Sequence, residues 1–130
     1  MSVVLIVEDE LFIRGMAETL IQGWGHETLA ASSVEAALTL LRSPAPIDAL
    51  FTDIRLKAAS QGGYEVANEA IKLRPGMPIL YTTGFSAPDE MKTLGVEGAQ
   101  FLAKPYSPDD LKASVERLFV VPVPPAGNRS

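Results

Sequence analysis

Short apolar runs alternate, five times from one end of the chain to the other, with stretches whose apolar residues recur at helical spacing. The runs predict strands at Val3 to Val7, Glu27 to Ala31, Asp48 to Thr52, Ile79 to Thr83 and Gln100 to Ala103. They are short, mostly apolar and rich in β-branched residues, as strands of a parallel sheet are when helices cover both faces. The first helix is expected from about Glu10 to Gly23, with Leu11, Ala17, Leu20, Ile21 and Trp24 on one stripe and Gly25 as the stop. A second runs from Val34 to Leu41, capped by Ser32 or Ser33, with Ala37, Leu38 and Leu41 inward and Pro44 beyond its end. A third, Tyr64 to Leu73, follows a Gly62-Gly63 turn and is stopped by Pro75 and Gly76. Pro88 opens a short fourth helix, Asp89 to Leu94, ended by Gly95. The fifth, Pro108 to Phe119, starts after Ser107 as cap and carries acids in its first turn. The expected fold is α/β, a doubly wound parallel sheet with helices on both faces, occupying residues 1–121. Residues 122–130, with Pro122, Pro124 and Pro125, are expected to form an extended, disordered tail.

Composition narrows the function. A length of 130 residues suits one domain with one core. Apolar residues at 47% and charged residues at 21% are close to the globular average, so neither disorder nor a membrane protein is indicated. The net charge of -5, from 11 basic and 16 acidic residues, offers no footprint for a nucleic-acid backbone. Without cysteine there is no disulfide framework and no thiolate metal site. The apolar run at the N-terminus has no basic lead and meets acids at once, unlike a signal peptide. No later stretch approaches the roughly 18 apolar residues of a membrane span. The cytoplasm is the expected location.

In an open parallel sheet, ligands bind outside the carboxyl ends of the strands, near the point where strand order reverses. Polar residues of this chain gather at those ends: Glu8 and Asp9 after the first strand, Asp53 after the third, Thr83 closing the fourth and Lys104 after the fifth. Each alone is more often a solvated loop group. Four strands contributing to one rim is the stronger signal.

The segments VVLIVEDE, LFTDIRL, ILYTTG and FLAKP, in this order and spacing, resemble the receiver domains of bacterial response regulators over residues 3 to about 119. The resemblance implies a flavodoxin-like five-stranded sheet of order 2-1-3-4-5, an order that a member of this family is commonly used to illustrate. It implies Asp53 as the nucleophile that forms an aspartyl phosphate. It implies Mg²⁺ held by Asp53 and Asp9 directly, by Glu8 through water, and by the backbone carbonyl of Arg55; crowded carboxylates are held ionised most easily by a cation. Lys104 would meet the phosphoryl oxygens as a point charge, bringing the site close to charge balance, and a cis bond to Pro105 is the family expectation. Thr83 would be the hydroxyl that responds to the phosphoryl group, and Phe101 the aromatic that turns inward with it. The plainer readings are a cap for one of Glu8 and Asp9, with Glu10 as a first-turn acid; methyl packing for Thr82; and core packing for Phe101. The implied partners are a sensor histidine kinase or phosphotransfer protein. A downstream protein or a second copy would bind across the fourth helix, fifth strand and fifth helix. The implied activity is a switch that catalyses its own phosphorylation and dephosphorylation, not a metabolic enzyme.

The loop after Asp53 departs from the family pattern: Lys57 stands where proline is usual and the loop is about two residues longer. Arg55 and Phe85 are large residues near the site, placed to affect water access. Rival readings fit less well. A haloacid dehalogenase-type hydrolase places a second aspartate where Arg55 stands, and a flavin-phosphate site would need Ser, Thr and Gly donors in the first loop instead of acids. A degenerate scaffold would not keep all five residues. His26 lies before the second strand, far in topology from the rim, and Trp24 reads as a core or rim aromatic.

Overall fold

A computed structural model describes residues 2–84 and 88–120. The proline-rich tail and Phe85 lie outside these residues. Five parallel strands, β1 (Val3–Val7), β2 (Glu27–Ala31), β3 (Ala49–Asp53), β4 (Ile79–Thr83) and β5 (Gln100–Ala103), alternate with helices α1 (Leu11–Gly23), α2 (Val34–Arg42), α3 (Gly62–Leu73), α4 (Pro88–Leu94) and α5 (Pro108–Leu118). The sheet order is β2-β1-β3-β4-β5, so the chain reverses its winding between β1 and β3 and opens a crevice there.

The three central strands, β1, β3 and β4, are buried on both faces, while the edge strands β2 and β5 are only partly covered. Strand alternation divides the core in two. Leu5, Val7, Leu50, Ile79 and Tyr81 point to the side where Ala37 and Leu41 of α2 and Val66, Ala67 and Ala70 of α3 pack. Val4, Ile6, Ala49, Phe51 and Leu80 point to the other, against Ala17 and Ile21 of α1 and Leu111, Val115 and Leu118 of α5. Phe101 is half-buried against the α2–α3 side.

β3 and α2 run one residue further than expected, to Asp53 and Arg42, and α4 takes in Pro88; four other boundaries differ, each for a local reason. β3 starts at Ala49, because Asp48 turns its carboxylate back on β1, where Oδ2 accepts from Val3 N at 2.8 Å. α1 starts at Leu11, because Glu10 is its cap and not a first-turn acid: Oε2 accepts from Ile13 N at 2.8 Å. This phase puts Leu11 outside the apolar stripe, 63% exposed, beside Phe12. α3 takes in Gly62 and Gly63 instead of starting after them, since the helix begins in contact with β3. A Cβ on Gly63 would lie 2.2 Å from Asp53 O and 2.6 Å from Ile54 Cα. α5 ends one residue early, at Leu118, with Phe119 as its C-cap. Ser33, and not Ser32, caps α2, and Ser107 caps α5 as expected.

Candidate functional site

Asp53 closes β3, and its carboxylate is fixed from two sides. Oδ2 accepts from Lys104 Nζ at 2.9 Å, and Oδ1 accepts from the backbone N–H of Arg55 at 3.2 Å. Lys104 reaches it from the loop after β5, where its own N–H donates to Thr83 O at 3.0 Å and its bond to Pro105 is cis. The same ammonium donates to Glu8 Oε1 at 2.5 Å. Glu8 follows β1 and is anchored twice more: Oε2 accepts from Glu10 N at 3.1 Å, and its carbonyl accepts from Arg14 Nη1 at 2.9 Å. Asp9 stands outward, with Oδ2 accepting from Lys57 N at 2.5 Å. The loop after Asp53 thus folds back over the rim and touches Asp9.

Glu8 and Asp53 are almost fully buried, at 4% and 6% exposure. Burial raises the pKa of Glu8, with the Lys104 hydrogen bond pulling the other way. Burial also opposes the charge on Lys104, but its bonds to Glu8 and Asp53 outweigh this and leave its pKa above the ordinary value. Tyr106, two residues after Lys104, is pushed up to about 12, mainly by burial. Thr83 is buried at the end of β4, paired with Ala103 of β5, one residue before Lys104. Thr82 faces Asp53 across the β3–β4 pair; its buried hydroxyl has no hydrogen-bond partner, in keeping with packing by its methyl group.

One carboxylate oxygen from each of Glu8, Asp9 and Asp53 falls within 4.8 Å of the others. All three donors are hard oxygens, and the described residues bring no imidazole into the cluster. Such a set suits a hard divalent cation. The structure therefore brings together Glu8, Asp9, Asp53 and Lys104, with Thr83 and the Arg55 backbone beside them. Phe101 stays outside the cluster, three residues before Lys104 on β5. The sequence reading missed Glu10 as the N-cap of α1; an acid immediately before the first helical residue was the signal for it. It also missed the side-chain role of Arg55, which pairs with Glu90 of α4, Nη1 to Oε1 at 3.0 Å. Nothing in the spacing of those two residues announces that pair.

Known proteins point the same way. A family model described as "Response regulator receiver domain" matches residues 4–116. A crystal structure of a response regulator receiver protein from Sinorhizobium medicae superposes with a TM-score of 0.83 at 32% identity, over 90% of this chain and 93% of that one. The transcriptional regulatory protein CreB of Escherichia coli is 32% identical over 89% of this chain and 50% of its own length. The transcriptional regulatory protein ZraR of the same species is 28% identical over 88% of this chain and 25% of its own. The chain thus spans a quarter to a half of the curated relatives it matches.

Proposed function

The chain belongs to the response regulator receiver domain family, and from that premise we propose that it takes a phosphoryl group on Asp53 from a phosphohistidine of a sensor kinase or phosphotransfer protein. Receiver domains of response regulators are signalling switches. The observation that carries the assignment here is the Lys104 ammonium, shared between two buried carboxylates at 2.5 and 2.9 Å beside a third.

Asp53 is the natural nucleophile, because it is the acid at the centre of the cluster and one oxygen is oriented by the Arg55 N–H. A carboxylate lone pair forms the new O–P bond as the N–P bond of the donor breaks, and the imidazole nitrogen keeps that electron pair and takes a proton. Such a transfer needs positioning and charge neutralisation more than acid–base chemistry. Asp9 and Asp53, with Glu8 through water and the Arg55 carbonyl, would hold Mg²⁺, which when bound supplies charge neutralisation to the phosphoryl oxygens. Lys104 supplies the second positive charge. Its present bond to Glu8 keeps it close to the place where the phosphoryl oxygens would stand.

Thr83 is the proposed responder: its buried position beside Lys104 puts a hydroxyl where new acceptor oxygens would recruit it. Phe101, half-buried on the neighbouring strand, would follow, changing the face of α4, β5 and α5 that a downstream protein or a second copy binds. No described helix is long and apolar enough to cross a membrane, and the proposed kinase donor supports the cytoplasm as the location. The net charge of -5 argues against direct contact with nucleic acid.

Incubation with Mg²⁺ and acetyl phosphate, followed by intact mass, tests the assignment. The wild type should gain one phosphoryl group and Asp53→Asn none. An equal adduct on both proteins would remove Asp53 from its role.

A further inference from the structure

None of the described side chains of α4 is fully buried; Met91 and Leu94 are only partly covered by the α2–α3 side of the core. Polar ties hold this helix instead. At its C-terminal end, Asn68 Nδ2 donates to Leu94 O at 2.8 Å, and just beyond it Val96 N donates to the Tyr81 hydroxyl at 3.0 Å. Near its N-terminal end the tie is Glu90. Its Oε1 lies 3.0 Å from Arg55 Nη1, and its Oε2 lies 3.4 and 3.3 Å from Nη1 and Nη2. The Tyr64 hydroxyl is buried beside the same carboxylate. Neither that hydroxyl nor Glu90 Oε1 makes a hydrogen bond of good geometry. The two ends of α4 are thus held differently, one by hydrogen bonds between neutral groups and the other by a part-buried ion pair, its side chains 32% and 26% exposed, that leaves one carboxylate oxygen without a well-formed hydrogen bond.

Arg55 belongs to the loop of Asp53 itself. Its N–H donates to the Asp53 carboxylate, and its Nη1 also donates to Ser60 O at 3.0 Å. A long, jointed side chain rooted two residues from Asp53 can turn towards a group carried on that residue. A phosphoryl group would offer roughly twice the charge of Glu90 and three strong acceptor oxygens. It also matches the guanidinium fork, which prefers bidentate pairing with phosphate. Lys104 is already engaged by Glu8 and Asp53 and does not saturate such a group alone. Resting on the assignment of Asp53 as phosphoacceptor, we infer that the Arg55 guanidinium is a further phosphoryl-binding group, held by Glu90 until modification draws it away and unties the first turn of α4. The Asn68 and Tyr81 bonds remain, so the helix pivots about its C-terminal end. This is a second route from Asp53 to α4, separate from Thr83 and Phe101.

The test uses the full chain as wild type, Arg55→Ala and Glu90→Gln, each before and after treatment with acetyl phosphate and Mg²⁺. The adduct is measured by intact mass in the same samples. Phosphorus NMR of the acyl phosphate reports contact with Arg55: the shift should move in Arg55→Ala and match wild type in Glu90→Gln, where the guanidinium is still present. Amide hydrogen exchange over residues 88–94 reports the tie: several-fold faster after modification in wild type, and already fast before it in both variants. An adduct whose phosphorus shift is the same in Arg55→Ala and wild type, or a modified wild type whose α4 exchange is unchanged, overturns the inference. No adduct on the wild type would instead bring down the Asp53 assignment, and this inference with it.

Discussion

Replacing Lys104 with methionine keeps the length of the side chain and removes the ammonium that joins Glu8 to Asp53. Both carboxylates have side chains less than 10% exposed, at 6% and 8%, while Lys104 is 19% exposed. Breaking a buried ion pair from one side costs about 3–5 kcal/mol, because the remaining charge is left without compensation. The open rim lets water approach, which puts the expected loss near the lower end, about 3 kcal/mol, or a fall in Tm of about 10 °C for a domain of this size. The loss should depend on pH. Burial already holds the Glu8 pKa above its ordinary value of 4.5, and losing Lys104 raises it further. A carboxyl group with a raised folded pKa binds its proton more tightly in the folded chain than in the unfolded one, so stability falls as pH rises through that raised value and recovers as pH drops towards 4.5. Urea unfolding followed by circular dichroism at pH 5 and pH 7 should show the smaller penalty at pH 5, and added Mg²⁺ should restore part of the loss at pH 7 by replacing the missing positive charge. A penalty under about 1 kcal/mol, equal at both pH values, would refute the reasoning, because the two acids would then not depend on the ammonium.

Two further substitutions test the scaffold and the switch. Gly63→Ala would ordinarily stabilise a helix by about 0.5–1 kcal/mol, but here the new methyl meets the backbone of Asp53 and Ile54. It should destabilise by about 3 kcal/mol, and a raised Tm in thermal unfolding would contradict the close approach of α3 to β3. Thr83→Ala should still accept a phosphoryl group yet fail to shift the amide resonances of β5; a full shift would take Thr83 out of the relay.

The strands were legible because each has a short apolar run between polar loops, and four of the five were placed to the residue; their order came from the family resemblance alone. Asp48 was misplaced because an acid beside a strand can either continue it or turn back as a bond acceptor, and only the partner strand decides. The inward stripe of α1 failed at Leu11 for a related reason. Helical phase is set by the cap, and three consecutive acids, Glu8, Asp9 and Glu10, left the cap ambiguous. Once Glu10 takes that role, Glu8 is free to turn into the site. The cluster itself was readable, since strand ends converge by topology. The Arg55–Glu90 pair was not, because it joins a loop to a helix residue 35 positions on, and local pattern carries no information about such a meeting.

The bonds from Lys104 to Glu8 and Asp53 span 96 and 51 residues of chain. A chain emerging from the ribosome therefore holds Glu8 and Asp53 long before it holds the ammonium that joins them. Closing loops of that length is an entropic cost that only the finished sheet repays. The Glu8–Lys104–Asp53 cluster therefore forms late and together with the fold itself. On the proposed reading, a truncated or nascent chain that displays Asp53 without Lys104 would lack the ammonium that the phosphoryl group needs.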